Sequence, residues 1–138
     1  MSEIDSRLEG WEVWEGVDPF EDHCGPMYYR KVDGKSSCQI LLDDKHMNSS
    51  GNVHGGVLMT FADYALYVLS RAPLAGQTSV TVSFNCEFIG PAVKGDMLEA
   101  TGEILRETGR MLFMRGLISC GDSTVLSYSA LLRKVKRR

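Results

Sequence analysis

Residues 53–71 read VHGGVLMTFADYALYVLSR, and this stretch decides the fold. Val57, Leu58, Phe61, Ala62, Ala65, Leu66, Val68 and Leu69 recur at helical spacing and cover more than one face. A helix that is apolar nearly all round belongs in an interior, so this segment is expected to be buried. Pro73 is expected to end it. One residue breaks the pattern: Asp63 is the only charged side chain between Gly55 and Ser70.

Everything after Pro73 reads as strand. Val80, Val82, Phe84, Cys86 and Phe88 alternate with Thr81, Ser83, Asn85 and Glu87, the period-2 pattern of a half-buried strand. Gly90-Pro91 breaks it, and further runs at about 96–105, 110–120 and 124–135 are divided by Glu107-Thr108-Gly109 and Gly121-Asp122-Ser123. Upstream, Met27–Val32 and Ser37–Leu42 read as two short strands joined at Asp33-Gly34, a hairpin signal. One buried helix among five or six antiparallel strands gives an α+β domain with the sheet wrapped around the helix. The chain divides at residue 22. Residues 1–22 form an acidic segment with Trp11, Trp14 and Phe20, read as an amphipathic helix packed on the body, and residues 23–138 form a single domain.

With 138 residues, one domain has enough chain to bury a core without staples. A net charge of −3 argues against nucleic-acid binding. Charge is concentrated at the ends: eight acids and one base in residues 1–22, five bases in the last six residues. The acidic start is unlike a secretory signal, and the longest nearly apolar run, Val57–Leu69, is too short to span a bilayer. Cys24, Cys38, Cys86 and Cys120 have neither zinc-site nor disulfide-framework spacing, so a reducing cytoplasm is expected. The histidines at 23, 46 and 54 form no recognised ligand pattern, and no metal is expected. Motifs for serine hydrolases, nucleotide-binding loops, dinucleotide folds and zincins are absent.

Two features carry chemistry. Burying a lone carboxylate is costly, and such groups concentrate at functional sites, so Asp63 is either functional or a structural acid meeting an arginine. Asn48-Ser-Ser-Gly51-Asn-Val-His54-Gly55-Gly56 leads into the same helix. Two glycines at a helix N-terminus expose backbone N–H groups at its positive end, able to hold an oxyanion with Asn48 as a side-chain donor. His54 reads alternatively as a cap. Asp63 lies eight residues past Gly55, about 12 Å along a helix axis. A carboxylate that far away cannot serve a carbonyl held at Gly55 of its own chain. Two such helices, antiparallel across a two-fold axis, bring Asp63 of one copy to Gly55 of the other, so a site shared in a homodimer is expected.

The run N-x-x-G-x-x-H-G-G with an Asp nine residues after the His (Asn48, Gly51, His54, Gly55, Gly56, Asp63) resembles the hotdog-fold thioesterases of the phenylacetate-pathway (PaaI-like) type. The similarity continues through Ser79–Phe88, the Gly90-Pro91-Ala92 turn and Gly95-Asp96, over about residues 40–135. The resemblance implies the hotdog fold and hydrolysis of an acyl-CoA thioester to free acid and CoA, without a cofactor. It implies that the Gly55 amide polarises the carbonyl, that Asn48 helps hold the carbonyl or the water, and that His54 shapes the loop. Asp63 from the partner chain would be nucleophile or general base. Thr81, or failing it Ser83, would orient the water, and Gly56 would contact substrate.

The CoA phosphates need cations. Arg106 and Arg110 flank the Glu107-Thr108-Gly109 turn where such a family contacts the nucleotide, with Lys94 and the C-terminal bases as further candidates. Expected partners are the acyl-CoA and a second copy, with a dimer of dimers also open, and neither nucleic acid nor membrane. Met59, Phe61, Tyr64, Tyr67, Phe84 and Phe88 could line an acyl tunnel or simply form core. A non-catalytic acyl-CoA sensor is the alternative, and a hydratase on the same fold fits the motif less well. A shared site makes a direct prediction: mixing inactive Asp63→Ala chains with inactive Asn48→Ala chains restores part of the activity. Verified subunit exchange without recovery would count against it.

Overall fold

The computed structural model describes residues 5–136. Six antiparallel strands form one sheet: β1 (Met27–Val32), β2 (Lys35–Leu41), β3 (Thr78–Phe88), β4 (Met97–Glu107), β5 (Met111–Cys120) and β6 (Ser123–Val135). Their order is β1-β2-β4-β5-β6-β3, so the chain leaves β2 near one edge and returns as β3 at the other. The connection is the long helix α2 (Gly55–Leu69), which packs on β2 and β4 and also touches β3, β5 and β6. This is the expected α+β sheet wrapped around one helix, with two short helices besides: α1 (Pro19–Cys24) and α3 (Arg71–Leu74).

Alternation supplies the sheet side of the core. Cys38, Ile40, Leu98, Ala100, Leu112, Met114, Leu126 and Leu132 are buried against Leu58, Phe61, Ala62, Ala65 and Leu66 of α2. Burying each large side chain stabilises by about 1.5–3 kcal/mol. Asp33 and Gly34 turn the β1–β2 hairpin with φ of 52° and 78°, the left-handed pair that a two-residue hairpin requires. Pro73 acts four residues upstream of itself. It cannot donate to the Leu69 carbonyl and its ring would clash there, and α2 ends at Leu69. The chain restarts as α3, where Pro73 lies in the first turn and needs no N–H.

Three expectations change. Residues 5–22 are not one amphipathic helix. They form a 3₁₀ turn at Ser6–Leu8, an extended stretch bridging Glu12 to Tyr29, and the first part of α1, which crosses the boundary at residue 22. Gly10 and Gly16, with φ of 83° and 74°, break any continuous helix. Residues 1–4, including Glu3, and the terminal Arg137 and Arg138 lie outside the described residues. Second, β3 does not bury one continuous set of alternate side chains: Val80, Val82 and Phe88 are all exposed. A bulge between Thr81 and Ser83 puts Val82 out of register with β6. Third, α2 is not buried all round: Met59 and Asp63 face outward.

Tyr128 crosses beneath the middle of the sheet. Its neighbour in register is Gly116, which pairs with Gly102, and its hydroxyl donates to the Thr101 carbonyl at 2.9 Å. A Cβ at Gly116 would overlap the Thr101 carbonyl oxygen and the Tyr128 hydroxyl. Gly116→Ala should therefore destabilise by about 3 kcal/mol, since the clash is partly with backbone. Urea unfolding measures it; a loss below about 1 kcal/mol would contradict this packing.

Candidate active site

The loop before α2 is held from several sides. Asn48 Oδ1 accepts from the amides of Ser50 and Asn52 at 2.9 and 3.1 Å, and Gly51, at φ 79°, completes the turn. The side-chain oxygen of Asn48 is thus used within the loop, and its Nδ2 is the group able to face a ligand. His46 is buried beneath: Nδ1 accepts from the Asp43 amide at 2.9 Å, and Nε2–H donates to the Cys24 carbonyl. The His46 carbonyl accepts from the His54 amide at 2.8 Å, so this one residue ties α1 to the loop through its imidazole and the loop to the start of α2 through its backbone.

His54 is the N-cap of α2, with Nδ1 accepting from the Gly56 amide at 2.8 Å. That bond consumes one of the orphan donors of the first turn. The Gly55 amide is another, and no partner for it is found among the described residues. The two glycines have different reasons. A Cβ on Gly56 would press on the His54 ring at 3.0 Å, and one on Gly55 would press on the Phe88 ring at 3.0 Å. Phe88, at the end of β3 and 57% exposed, therefore lies against the open end of the helix.

Two turns on, Asp63 is exposed, and its Oδ1 accepts a hydrogen bond from Thr81 Oγ1 at 2.9 Å. The expectation of a buried carboxylate is corrected here. The sheet covers one side of α2, and the face bearing Gly55, Met59 and Asp63, four residues apart, is the open one. The bulge explains why Thr81 and not Ser83 meets Asp63. Before Val82 the odd-numbered residues of β3 turn toward the helix, and after it the even-numbered Phe84 and Cys86 do. Asp63 and Thr81 border a cleft of about 560 Å³, with Leu66 and Tyr67 of α2 on one side and Trp14 and Glu21 of the N-terminal segment on another.

Arg106, near the end of β4, and Arg110, in the β4–β5 turn, are both exposed at the end of the sheet where β3 begins and away from Gly55. Between them Glu107 pairs with Lys134. Lys94 is paired with Asp44 at 3.0 Å. Of the tunnel candidates, Phe61 and Tyr64 are core, whereas Met59 and Phe88 lie at the surface. No cluster of three His, Cys, Asp or Glu side chains able to hold a metal is found among the described residues, where all four cysteines are free. No helix there is long and apolar enough to cross a membrane.

Sequence reasoning missed His46, Trp14 and Glu21. His46 looked like an unattached histidine, and only its burial reveals the work it does. Trp14 packs on Tyr29 and Tyr64 at ring separations of 5.0 and 4.9 Å, and its indole N–H donates to Glu21 Oε1 at 3.4 Å. Half-burial, with Asp18 and Asp63 nearby, pushes the Glu21 carboxyl up to about 7. Nothing in the acidic run distinguishes Glu21 from its neighbours.

Comparison with known proteins gives a family and a fold. Residues 50–127, over half of the chain, match the family described as Thioesterase superfamily. A Pseudomonas aeruginosa protein named as an esterase is 33% identical over 124 residues, covering 88% of this chain and 92% of that protein. Human acyl-coenzyme A thioesterase 13 is 26% identical over 80 residues, 58% of this chain and 57% of that one. Among solved structures, the Escherichia coli PaaI protein superposes with a TM-score of 0.77 at 19% identity, covering 86% of each chain. A hypothetical thioesterase of Streptococcus pneumoniae, solved with coenzyme A, superposes with a TM-score of 0.72 at 19% identity, covering 81% of this chain and 88% of that one. With the helix-wrapped sheet, the capped glycine pair and the Asp63–Thr81 contact in place, the chain belongs to the thioesterase superfamily and has its hotdog fold.

Proposed function

We propose that this protein hydrolyses an acyl-CoA thioester to free acid and CoA at a site shared by two copies of the chain. The observation that carries the reading is the arrangement on the open face of α2. A free Gly55 amide stands at the positive end of the helix, and Asp63 stands two turns away, held by Thr81. Relatives named as acyl-CoA thioesterases, and structural neighbours solved with CoA, support the substrate class.

The second copy is argued from the edge. β3 is eleven residues long, lies at the border of the sheet, and exposes Val80, Val82 and Phe88. A long edge strand of this kind is a pairing surface. Two copies joined along β3, their α2 helices antiparallel, bring Gly55 of one to Asp63 of the other and cover Met59 and Phe88.

In the shared site the Gly55 N–H, helped by Asn48 Nδ2, donates to the thioester oxygen as negative charge develops on it. Gly56 is held by His54 and contributes by fixing the angle of the loop. Asp63 of the second copy attacks the carbonyl carbon or takes a proton from the water that does, with Thr81 holding its orientation. No cofactor or metal is required. Arg106 and Arg110 meet the CoA phosphates, and the four free cysteines suit a reducing cytoplasm.

Thiol release from aryl and aliphatic acyl-CoAs tests the reading. Asp63→Asn should lower turnover by about 100- to 10,000-fold with folding intact. Binding of acyl-CoA without release by the wild type would instead leave the sensor reading. Changing both Arg106 and Arg110 to alanine should raise KM several-fold and reduce its dependence on salt, because exposed ion contacts are screened. An unchanged KM would remove both arginines from the CoA site.

A further inference from the structure

The N-terminal segment is more than a strap. Residues 14–21 lie before the stretch matching the family, yet Trp14 and Glu21 wall the cleft into which Asp63 opens. Trp14 anchors this wall: its ring contacts Tyr29, Tyr64 and Tyr67, and Arg71 lies over its face at 5.4 Å. The three acids on and beside α1 have different tasks. Asp18 accepts from the Glu21 amide at 3.1 Å as the N-cap, and Asp22 accepts from the Gly16 amide at 3.1 Å. The Glu21 carboxylate makes no ion pair among the described residues, accepts there from the Trp14 indole alone, and borders the same cleft as Asp63.

We propose that Glu21 is a positioning residue for hydrolysis at Asp63, a second carboxylate whose charge favours the step in which Asp63 loses its own. The proposal rests on the thioesterase reading. If Asp63 acts as base, it takes a proton from water while the hydroxide oxygen bonds to the carbonyl carbon. The carbon–sulfur bond then breaks, and the proton passes to the departing thiolate. If Asp63 attacks directly, its oxygen bonds to that carbon, CoA leaves as the thiolate, and water later opens the anhydride. In both routes Asp63 becomes neutral on the way to the transition state. Facing an ionised Glu21, that neutralisation relieves like-charge repulsion, an effect strengthened where water is partly excluded.

The groups around Glu21 set when it is charged. Asp18 and Asp22 flank it on its own element, Asp63 and Arg71 share its cleft, and Glu15 and Lys45 border it on the other side. Burial raises the nearby Cys24, Cys38 and Tyr64, which stay neutral near pH 7. Burial and the neighbouring acids hold Glu21 up to about 7, while the Trp14 hydrogen bond pulls the other way. Glu21 is therefore neutral below that value and charged above it, and kcat/KM should rise through neutral pH.

The experiment is the pH profile of kcat/KM for thiol release in wild type, Glu21→Gln, Glu21→Asp and Trp14→Phe. Tryptophan emission is followed in parallel in a Trp11→Phe background, where Trp14 is the single emitter. The expected wild-type profile rises roughly three- to tenfold through pH 7. Glu21→Gln should lose that rise and keep the low-pH rate throughout, and Glu21→Asp should retain a rise. Trp14→Phe should move it to higher pH, because the bond that favours the charged form is gone. Emission should titrate near pH 7 in the Trp11→Phe protein and lose that step when Glu21→Gln is added. A rise that persists unchanged in Glu21→Gln overturns the proposal alone. If Glu21→Gln does not fold, an unmoved rise in Trp14→Phe overturns it. No thiol release from any acyl-CoA overturns the thioesterase reading, and this proposal with it.

Discussion

Seating α2 against the sheet is the constraint on which the rest of the molecule depends. Phe61, Ala62, Ala65 and Leu66 are all but inaccessible, and the two alanines let the helix backbone come close to the strands. Once that face is committed, the 3.6-residue repeat leaves no freedom for the others: Gly55, Met59 and Asp63 must lie off it, on the side where β3 brings Thr81 to Asp63 and Phe88 to Gly55. The catalytic candidates sit where they do because the core lies on the other side of the same helix. The cost of burying a bare carboxylate is avoided, and Asp63 remains in reach of water and of Thr81.

The start of the helix is organised by a chain of polar contacts. Buried His46 holds the Cys24 carbonyl and the Asp43 amide, its own carbonyl holds His54, and His54 caps Gly56. Each link leaves the next with fewer orientations, and the last leaves the Gly55 amide as an open donor. Such a donor is useful because it is already aimed when charge develops. Phe88 bears on the same glycine from β3, so the helix end and the sheet edge are packed as one unit. The N-terminal segment joins this arrangement through Trp14, which places acids of an otherwise solvated run against the cleft.

Much of this was legible in the residues. The α+β fold, the long helix, the β1–β2 turn and the later strands follow from periodicity and turn chemistry, signals local to a few residues. Asn48, His54, Gly55, Gly56 and Asp63 stood out by residue type and spacing, whereas Thr81 was named only through the family resemblance. The N-terminal segment was misread because hydrophobic residues among acids suggested a helix, whereas Gly10 and Gly16 take left-handed backbone there and Trp14 finds partners on β1 and α2.

What the sequence determined by itself was the set of elements and the chemistry carried by one of them, because helix and strand periods and glycine freedom act over short distances. The tertiary structure decided which of these residues meet. The bulge at Val82 depends on register with β6, and it turns Thr81 toward Asp63 and leaves Ser83 aside. The outward face of α2 depends on which side the sheet takes. Glu21 acquires its environment from Trp14, Asp18 and Asp63, and Asp63 lies more than forty residues along the chain. Register, burial and facing charges arise between distant segments, so no local pattern records them.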